Sequence, residues 1–187
     1  MKAMMNTVQM LGSKVLMVLA VLPLLVGCLN NDFGSVPDFD AEAQMATDLA
    51  LIDDYLTANG LTALRTESGL HYRITQNGSG ALADSGNVVR VDYVGYDLED
   101  KVFDTSISLI AQANDIFVPE RDYIPLEFTL GQNSVIQGWE EGLSLLNAGS
   151  KATFYIPSGL AYGPFGTASG QFANQVLIFD VELLEIR

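Results

Sequence analysis

Ser134 to Leu146 reads SVIQGWEEGLSLL, and the spacing within it decides the fold. Val135, Trp139 and Leu143 recur at steps of four, which gathers them on one face of a helix. Ser134 and Gln137 form a capping-box pattern at its start, and Asn147-Ala148-Gly149 ends it. On both sides the period changes to two. Lys151 to Pro157 sets Ala152, Phe154 and Ile156 against Thr153 and Tyr155, and Gln175 to Ile186 is a long strand, nearly continuous in apolar residues around Phe179. Upstream, Leu70, Tyr72 and Ile74 alternate with His71 and Arg73, which predicts a strand with one wet face and a solvent-facing His71. Asn77-Gly78-Ser79-Gly80 is a turn signal, Asn87 to Tyr96 (NVVRVDYVGY) is a β-branched and aromatic strand, and Leu126 to Leu130 is a short one. Strands around a single short helix, without alternating β-α units, predict an α+β fold: an antiparallel β-sheet wrapped around that helix.

Toward the N-terminus, Ala41 to Asn59 places Met45, Leu49, Ile52 and Leu56 on one stripe, with Asp48, Asp53 and Asp54 elsewhere, and Gly60 behind it. This predicts an N-terminal amphipathic helix whose stripe docks on the following domain more readily than on a second copy. Residues 28–40 are rich in Asn, Asp, Gly, Ser and Pro and read as a flexible tether. Residues 1–27 carry Lys2 and Lys14 and no acid, then the wholly apolar Val15 to Val26, too short to span a bilayer as a helix, so they read as a signal peptide. The expected organisation is therefore signal peptide 1–27, tether 28–40, helical segment 41–65 and a domain over 66–187.

The whole chain has a formal net charge of −14, from 9 Lys+Arg against 23 Asp+Glu. Removing the two lysines of the signal peptide takes it to −16. Such a surface repels phosphate backbones, and no basic run offsets it, so no nucleic-acid partner is expected. One Cys and one His leave almost nothing for zinc sites, disulfide frameworks or a Ser-His-Asp triad, so no metal site is expected. Glu140 and Glu141 read as the solvated face of the helix, and Gly163 to Gly166 as a flexible loop without a phosphate-binding pattern. Leu25-Val26-Gly27-Cys28 resembles the lipobox of bacterial lipoproteins. The resemblance implies a membrane anchor of acyl chains on Cys28 and a place in the bacterial cell envelope. Leu29, where Asp would favour the inner membrane, leans toward the outer membrane facing the periplasm.

Four blocks, VVRVDYVGYDLEDKVFDTS, PLEFTLGQNSVIQGWEEGL, IPSGLAYG and LIFDVELLEI, follow in this order. Together they resemble the FKBP-type peptidyl-prolyl cis/trans isomerases over about Thr66 to Arg187, and the segment before them resembles the leader of bacterial envelope members. The resemblance implies a shallow apolar cleft between sheet and helix that isomerises X-Pro bonds in secreted or envelope polypeptides, with no cofactor. Carried over by position, it assigns Tyr93, Asp104, Ile136 and Tyr162 to catalysis. Phe103, Val135, Trp139 and Phe179 bind substrate, with Leu126 on the wall where many members have an aromatic. The Ile136 N–H and the Tyr162 hydroxyl would bind the peptide, Trp139 would floor the pocket, and Asp104 would pair with Tyr93.

That residue set contains no nucleophile, and the reaction needs none. The planar amide owes its barrier of about 18–20 kcal/mol to resonance, which the twisted transition state has lost. A twisted amide is less dipolar, so an apolar cleft that strips water from its carbonyl favours it over the planar form. Two further features depart from the family pattern. SGQFANQ (Ser169 to Gln175) replaces a Gly-Ile-Pro-Pro run, with Phe172 available to compensate for Gln171. Thr105 to Ile124 is a long connection that predicts a flap or short helix beside the cleft. The competing reading is a non-catalytic peptide-binding chaperone or interaction module on the same fold.

Overall fold

The computed structural model describes residues 39–187. The expectations for the signal peptide, Cys28 and all but the last two residues of the tether fall outside the described residues. Helix α1 (Ala41–Ala58) comes first. Strands β1 (Leu64–Arg65), β2 (His71–Gln76), β3 (Val88–Tyr96) and β4 (Val102–Thr105) follow, then α2 (Ser108–Ala113), β5 (Leu126–Thr129), α3 (Gln137–Leu143), β6 (Lys151–Ile156) and β7 (Leu177–Ile186). Two short 3-10 helices, Ser158–Leu160 and Gly163–Phe165, lie between the last two strands.

The seven strands form one antiparallel sheet in the order β1-β2-β6-β7-β3-β4, with β5 also on β3. β3 is the most widely shared strand, pairing with β7, β4 and β5. β5 occupies one edge along Val88 to Val91, and β4 occupies the same edge along Val94 to Tyr96. Between them Tyr93 has no strand partner on that side. Its N–H donates to Ser106 Oγ (2.9 Å), and its carbonyl accepts from Thr105 Oγ1 (2.7 Å) and from the Ser106 N–H (3.1 Å). Two hydroxyl residues thus replace the missing ladder bonds and hold Tyr93 at the break.

The α+β architecture is as expected, with α3 held against one face of the sheet. Val89, Val91 and Tyr93 of β3, Phe154 and Ile156 of β6, and Phe179, Val181 and Leu183 of β7 pack with Trp139 and Leu143. Two glycines allow the helix so close. A Cβ on Gly138 would lie 2.5 Å from Ile156, and one on Gly142 would lie 2.7 Å from the Phe154 ring.

Three local expectations are corrected. α3 begins only at Gln137, with Ile136 as its cap residue and no side-chain cap, so the Ser134–Gln137 capping box does not form. Val135 and Ile136 remain before the helix, and Ile136 is extended (φ −61°, ψ 149°). His71 is not solvent-facing: it is 4 % exposed. The side of the sheet that alternation marks as wet is covered by α1, whose Ile52 and Leu56 pack on Tyr155, Val176 and Ile178. Asp53 of α1 stands 3.6 Å from His71 Nε2, and His71 Nδ1 lies 3.1 Å from the Gly69 carbonyl. Finally, Gly163 to Gly166 is not simply loop, because Gly163–Phe165 closes a 3-10 turn with Pro164 inside its start.

Candidate active site

The nine cleft residues named from the sequence, which are Tyr93, Phe103, Asp104, Leu126, Val135, Ile136, Trp139, Tyr162 and Phe179, all line one cavity of about 500 Å³. Five elements deliver eight of them. β3 supplies Tyr93, β4 supplies Phe103 and Asp104, β5 supplies Leu126, α3 and its entry supply Val135, Ile136 and Trp139, and β7 supplies Phe179. Tyr162 comes from the segment after β6.

The floor is aromatic. Trp139 is 3 % exposed and meets Tyr93 (5.3 Å, 80°) and Phe179 (5.3 Å, 89°) edge to face, and Phe103 meets Phe179 in the same way (5.6 Å, 89°). Such contacts add about 0.5–1.5 kcal/mol each beyond area burial and fix ring orientation. Gly95 makes room for them: a Cβ there would lie 2.6 Å from Phe179 and 2.9 Å from Phe103. Phe172, beside Gln171, packs on two of the lining rings, 4.6 Å from that of Phe103 and 5.7 Å from that of Tyr162. It does so from a left-handed backbone conformation (φ 63°).

Two polar features break the apolar lining. At the helix entry, the extended Ile136 turns its carbonyl into α3, where it accepts from the Trp139 and Glu140 N–H groups. Among the described residues no acceptor takes the Ile136 N–H. At the wall, the Tyr93 hydroxyl donates to Asp104 Oδ2 (2.7 Å), and the Thr105 N–H donates to Asp104 Oδ1 (2.9 Å). The pairing drawn from the resemblance is therefore present, and it has a third member. Arg121 Nη1 donates to Asp104 Oδ1 (2.6 Å), and its Nη2 donates to the Tyr93 hydroxyl (3.1 Å).

Sequence reasoning missed Arg121. The signal available was that it is the only cation in the Thr105–Ile124 connection, among Asp115, Glu120 and Asp122. That connection holds the short helix α2, and its far end runs beside the cleft, where Phe117 and Tyr123 stack (5.3 Å) and Arg121 lies over the Tyr123 ring (5.1 Å). Both partners of the Arg121–Asp104 pair are more than a third exposed, so it contributes about 0–1 kcal/mol to stability. Its consequence is orientation of the wall.

Burial, and then the bond to Asp104, push the Tyr93 hydroxyl well above the ordinary tyrosine range. Burial also raises Tyr162, with the Asp104 charge adding to it. Both hydroxyls stay protonated and remain donors. Arg121 is raised by its bond to Asp104. Glu140 and Glu141 are not a plain solvated face. Glu140 Oε2 accepts from the Gly131 N–H (2.6 Å) with its other oxygen buried, and Glu141 accepts from Ser68 Oγ (2.6 Å). Neither is placed as an acid/base pair on the cavity. Among the described residues there is no cluster of His, Cys, Asp and Glu able to hold a metal ion.

A family model described as FKBP-type peptidyl-prolyl cis-trans isomerase matches residues 80–184. The chain is 39% identical over 136 residues to the FKBP-type peptidyl-prolyl cis-trans isomerase FkpA of Aeromonas hydrophila, covering 72% of this chain and 45% of that one. It is 33% identical over 139 residues to the outer membrane protein MIP of Legionella longbeachae, covering 72% and 52%. The crystal structure of FkpA from Escherichia coli superposes with a TM-score of 0.59 at 30% identity, covering 78% of this chain and 64% of that one. The chain spans about half the length of these curated relatives. The matched stretch runs from before β3 to within the last residues of β7 and so includes all nine of the cleft residues named above. On that match the chain belongs to the FKBP-type peptidyl-prolyl cis-trans isomerase family.

Proposed function

We propose that this chain catalyses cis/trans isomerisation of X-Pro bonds in polypeptides of the bacterial cell envelope, anchored to the membrane by lipid on Cys28. The observation that carries the catalytic reading is the meeting of an aromatic floor with two unoccupied donors, the Ile136 N–H and the Tyr162 hydroxyl, in one cavity. A prolyl ring over Trp139 gains apolar burial. The two donors grip the chain on either side of the bond, so one side turns relative to the other. Phe103, Phe179 and Tyr93 keep water from the carbonyl, and this favours the twisted amide over the planar one. Asp104 holds Tyr93 and Arg121 in place and takes no proton from substrate.

If these effects together supply about 5–8 kcal/mol, the acceleration is roughly 10⁴ to 10⁶, at about 1.4 kcal/mol per decade. The envelope assignment draws on the signal peptide and lipobox read in the sequence, and on a relative named as an outer membrane protein. A protease-coupled assay on an X-Pro tetrapeptide tests the activity. Turnover above background should fall about tenfold or more in Tyr162→Phe and in Asp104→Val. A rate no higher than background would leave a peptide-binding module instead. Mass spectrometry of the mature N-terminus tests the anchor, which an unmodified Cys28 would refute.

A further inference from the structure

Asp48 lies on α1, outside the stretch that the family model matches, and it is fully buried. Its Oδ2 accepts from both the N–H (2.8 Å) and the hydroxyl (2.6 Å) of Ser158, and its Oδ1 accepts from Gln44 Nε2 (2.8 Å). Ser158 is itself 1 % exposed and opens the 3-10 helix that ends at Leu160. Gly159 and Ala161 of that segment line the cavity, and Tyr162 follows directly. Met45, one turn earlier on α1, backs the same segment: a Cβ on Gly159 would lie 3.6 Å from its Cε.

Tyr162 has little else to hold it. Its hydroxyl makes no hydrogen bond among the described residues, and it stacks on Phe172, which stands in a loop at positive φ. On one side of the tyrosine the Gly163 carbonyl accepts from the Asn174 N–H (2.8 Å), which belongs to the same loop as Phe172; on the other side its tie to the helix is Ser158, four residues back, which is bonded to Asp48. A carboxylate taken fully out of water costs more than an apolar side chain of its size would. Apolar contacts would let a single 3-10 turn slide. Two bonds to one residue fix both its backbone position and its rotamer, which is what a precisely placed donor downstream requires.

We propose that Asp48 is a positioning residue for the isomerase reaction, locking the Ser158–Leu160 turn so that the Tyr162 hydroxyl is presented to the substrate. α1 then belongs to the support of the catalytic site. The inference rests on the isomerase reading above, and its test keeps the two apart.

The test uses the full chain with Asp48→Ala, Asp48→Asn and Ser158→Ala, each with Tyr162 and with Tyr162→Phe. Asp48→Ala should lower kcat/KM on the tetrapeptide about tenfold in the parent background, and less than about twofold with Tyr162→Phe, because the two changes act through one group. Asp48→Asn should stay within about threefold of the parent, since an amide oxygen still accepts both Ser158 bonds while Gln44 turns its own amide. Hydrogen exchange at residues 158–162 should accelerate in Asp48→Ala, with the β3 and β7 amides unchanged.

Equal losses in both backgrounds, parent-level activity in Asp48→Ala, or unchanged exchange at 158–162 would each overturn the proposal. Should Asp48→Ala fail to fold, Ser158→Ala decides: it keeps one of the two bonds, and about a threefold loss that vanishes with Tyr162→Phe is expected. A parent protein without turnover refutes the isomerase reading only, and the exchange measurement still decides whether Asp48 holds the turn.

Discussion

The two faces of the sheet carry two apolar clusters assembled in different ways. Beneath α3, the inward residues of β3, β6 and β7 close on Trp139 and Leu143, and the same rings that fill this core form the floor of the cavity. Beneath α1, a smaller buried set, Ile52 and Leu56 with Tyr155, Val176 and Ile178, is edged by the partly buried Tyr55, and polar groups sit around it: His71 beside Asp53, and the Tyr55 hydroxyl donating to Asp100 (2.6 Å). On the first face the site is built from the core itself. On the second, a helix from outside the matched domain covers a sheet surface whose pattern is half polar, and it reaches the site through the segment before Tyr162, where Asp48 bonds Ser158 and Met45 backs Gly159.

The comparison breaks first at the core. Leu143→Ala should cost about 3–5 kcal/mol and Ile52→Ala about 2–4, since both side chains are fully buried and the smaller cluster can collapse more readily around a void. Their effects on activity should diverge further. The cavity left by Leu143 lies behind Trp139 and should loosen the floor. Ile52→Ala leaves the Asp48–Ser158 bonds standing and should lower kcat/KM less than about threefold at 25 °C. Urea unfolding beside the peptide assay checks both. An Ile52→Ala protein as inactive as Leu143→Ala would mean that the two faces are not separable.

A smaller effect sharpens the second face. Burial under α1 holds the His71 imidazole below its ordinary value, against the opposing pull of the Gly69 carbonyl and Asp53. The unfolded chain then takes up the proton at a higher pH than the folded one. The stability this neutral imidazole contributes is present above about pH 6.5 and is lost as pH falls through the lower, folded value. The Tm difference between the parent and His71→Gln, a non-titrating variant, should therefore shift against the parent between pH 8 and pH 5. A difference independent of pH would mean that His71 is not held neutral by burial.

The misreading of His71 marks where local pattern stops being informative. Alternation along β2 and β6 separates the two faces of the sheet correctly, and it puts Tyr72, Phe154 and Ile156 with the main core. It cannot say what lies on the other face, because the cover is a helix with its own period whose docking place no spacing encodes. Asp48 was read by the same logic as a polar-side residue; its burial follows from Ser158, more than a hundred residues away. Ser134 and Gln137 had the spacing of a cap, yet the chain stays extended through Ile136, leaving its N–H over the cavity. Arg121 was invisible for a similar reason, since the partner of a charge in a long connection depends on the path of that connection.

From its sequence alone the chain's α+β class, its family and the nine residues that would meet in one cavity were settled, because strand and helix periods and the family blocks are carried by short runs of neighbouring residues. Only the tertiary structure decided that α1 closes the outer face, that Arg121 completes the Tyr93–Asp104 wall and that Asp48 grips the turn before Tyr162. Each of these depends on where a distant segment lands in space, and hydrogen bonds of under 3 Å between residues far apart in the chain leave no periodic trace in it.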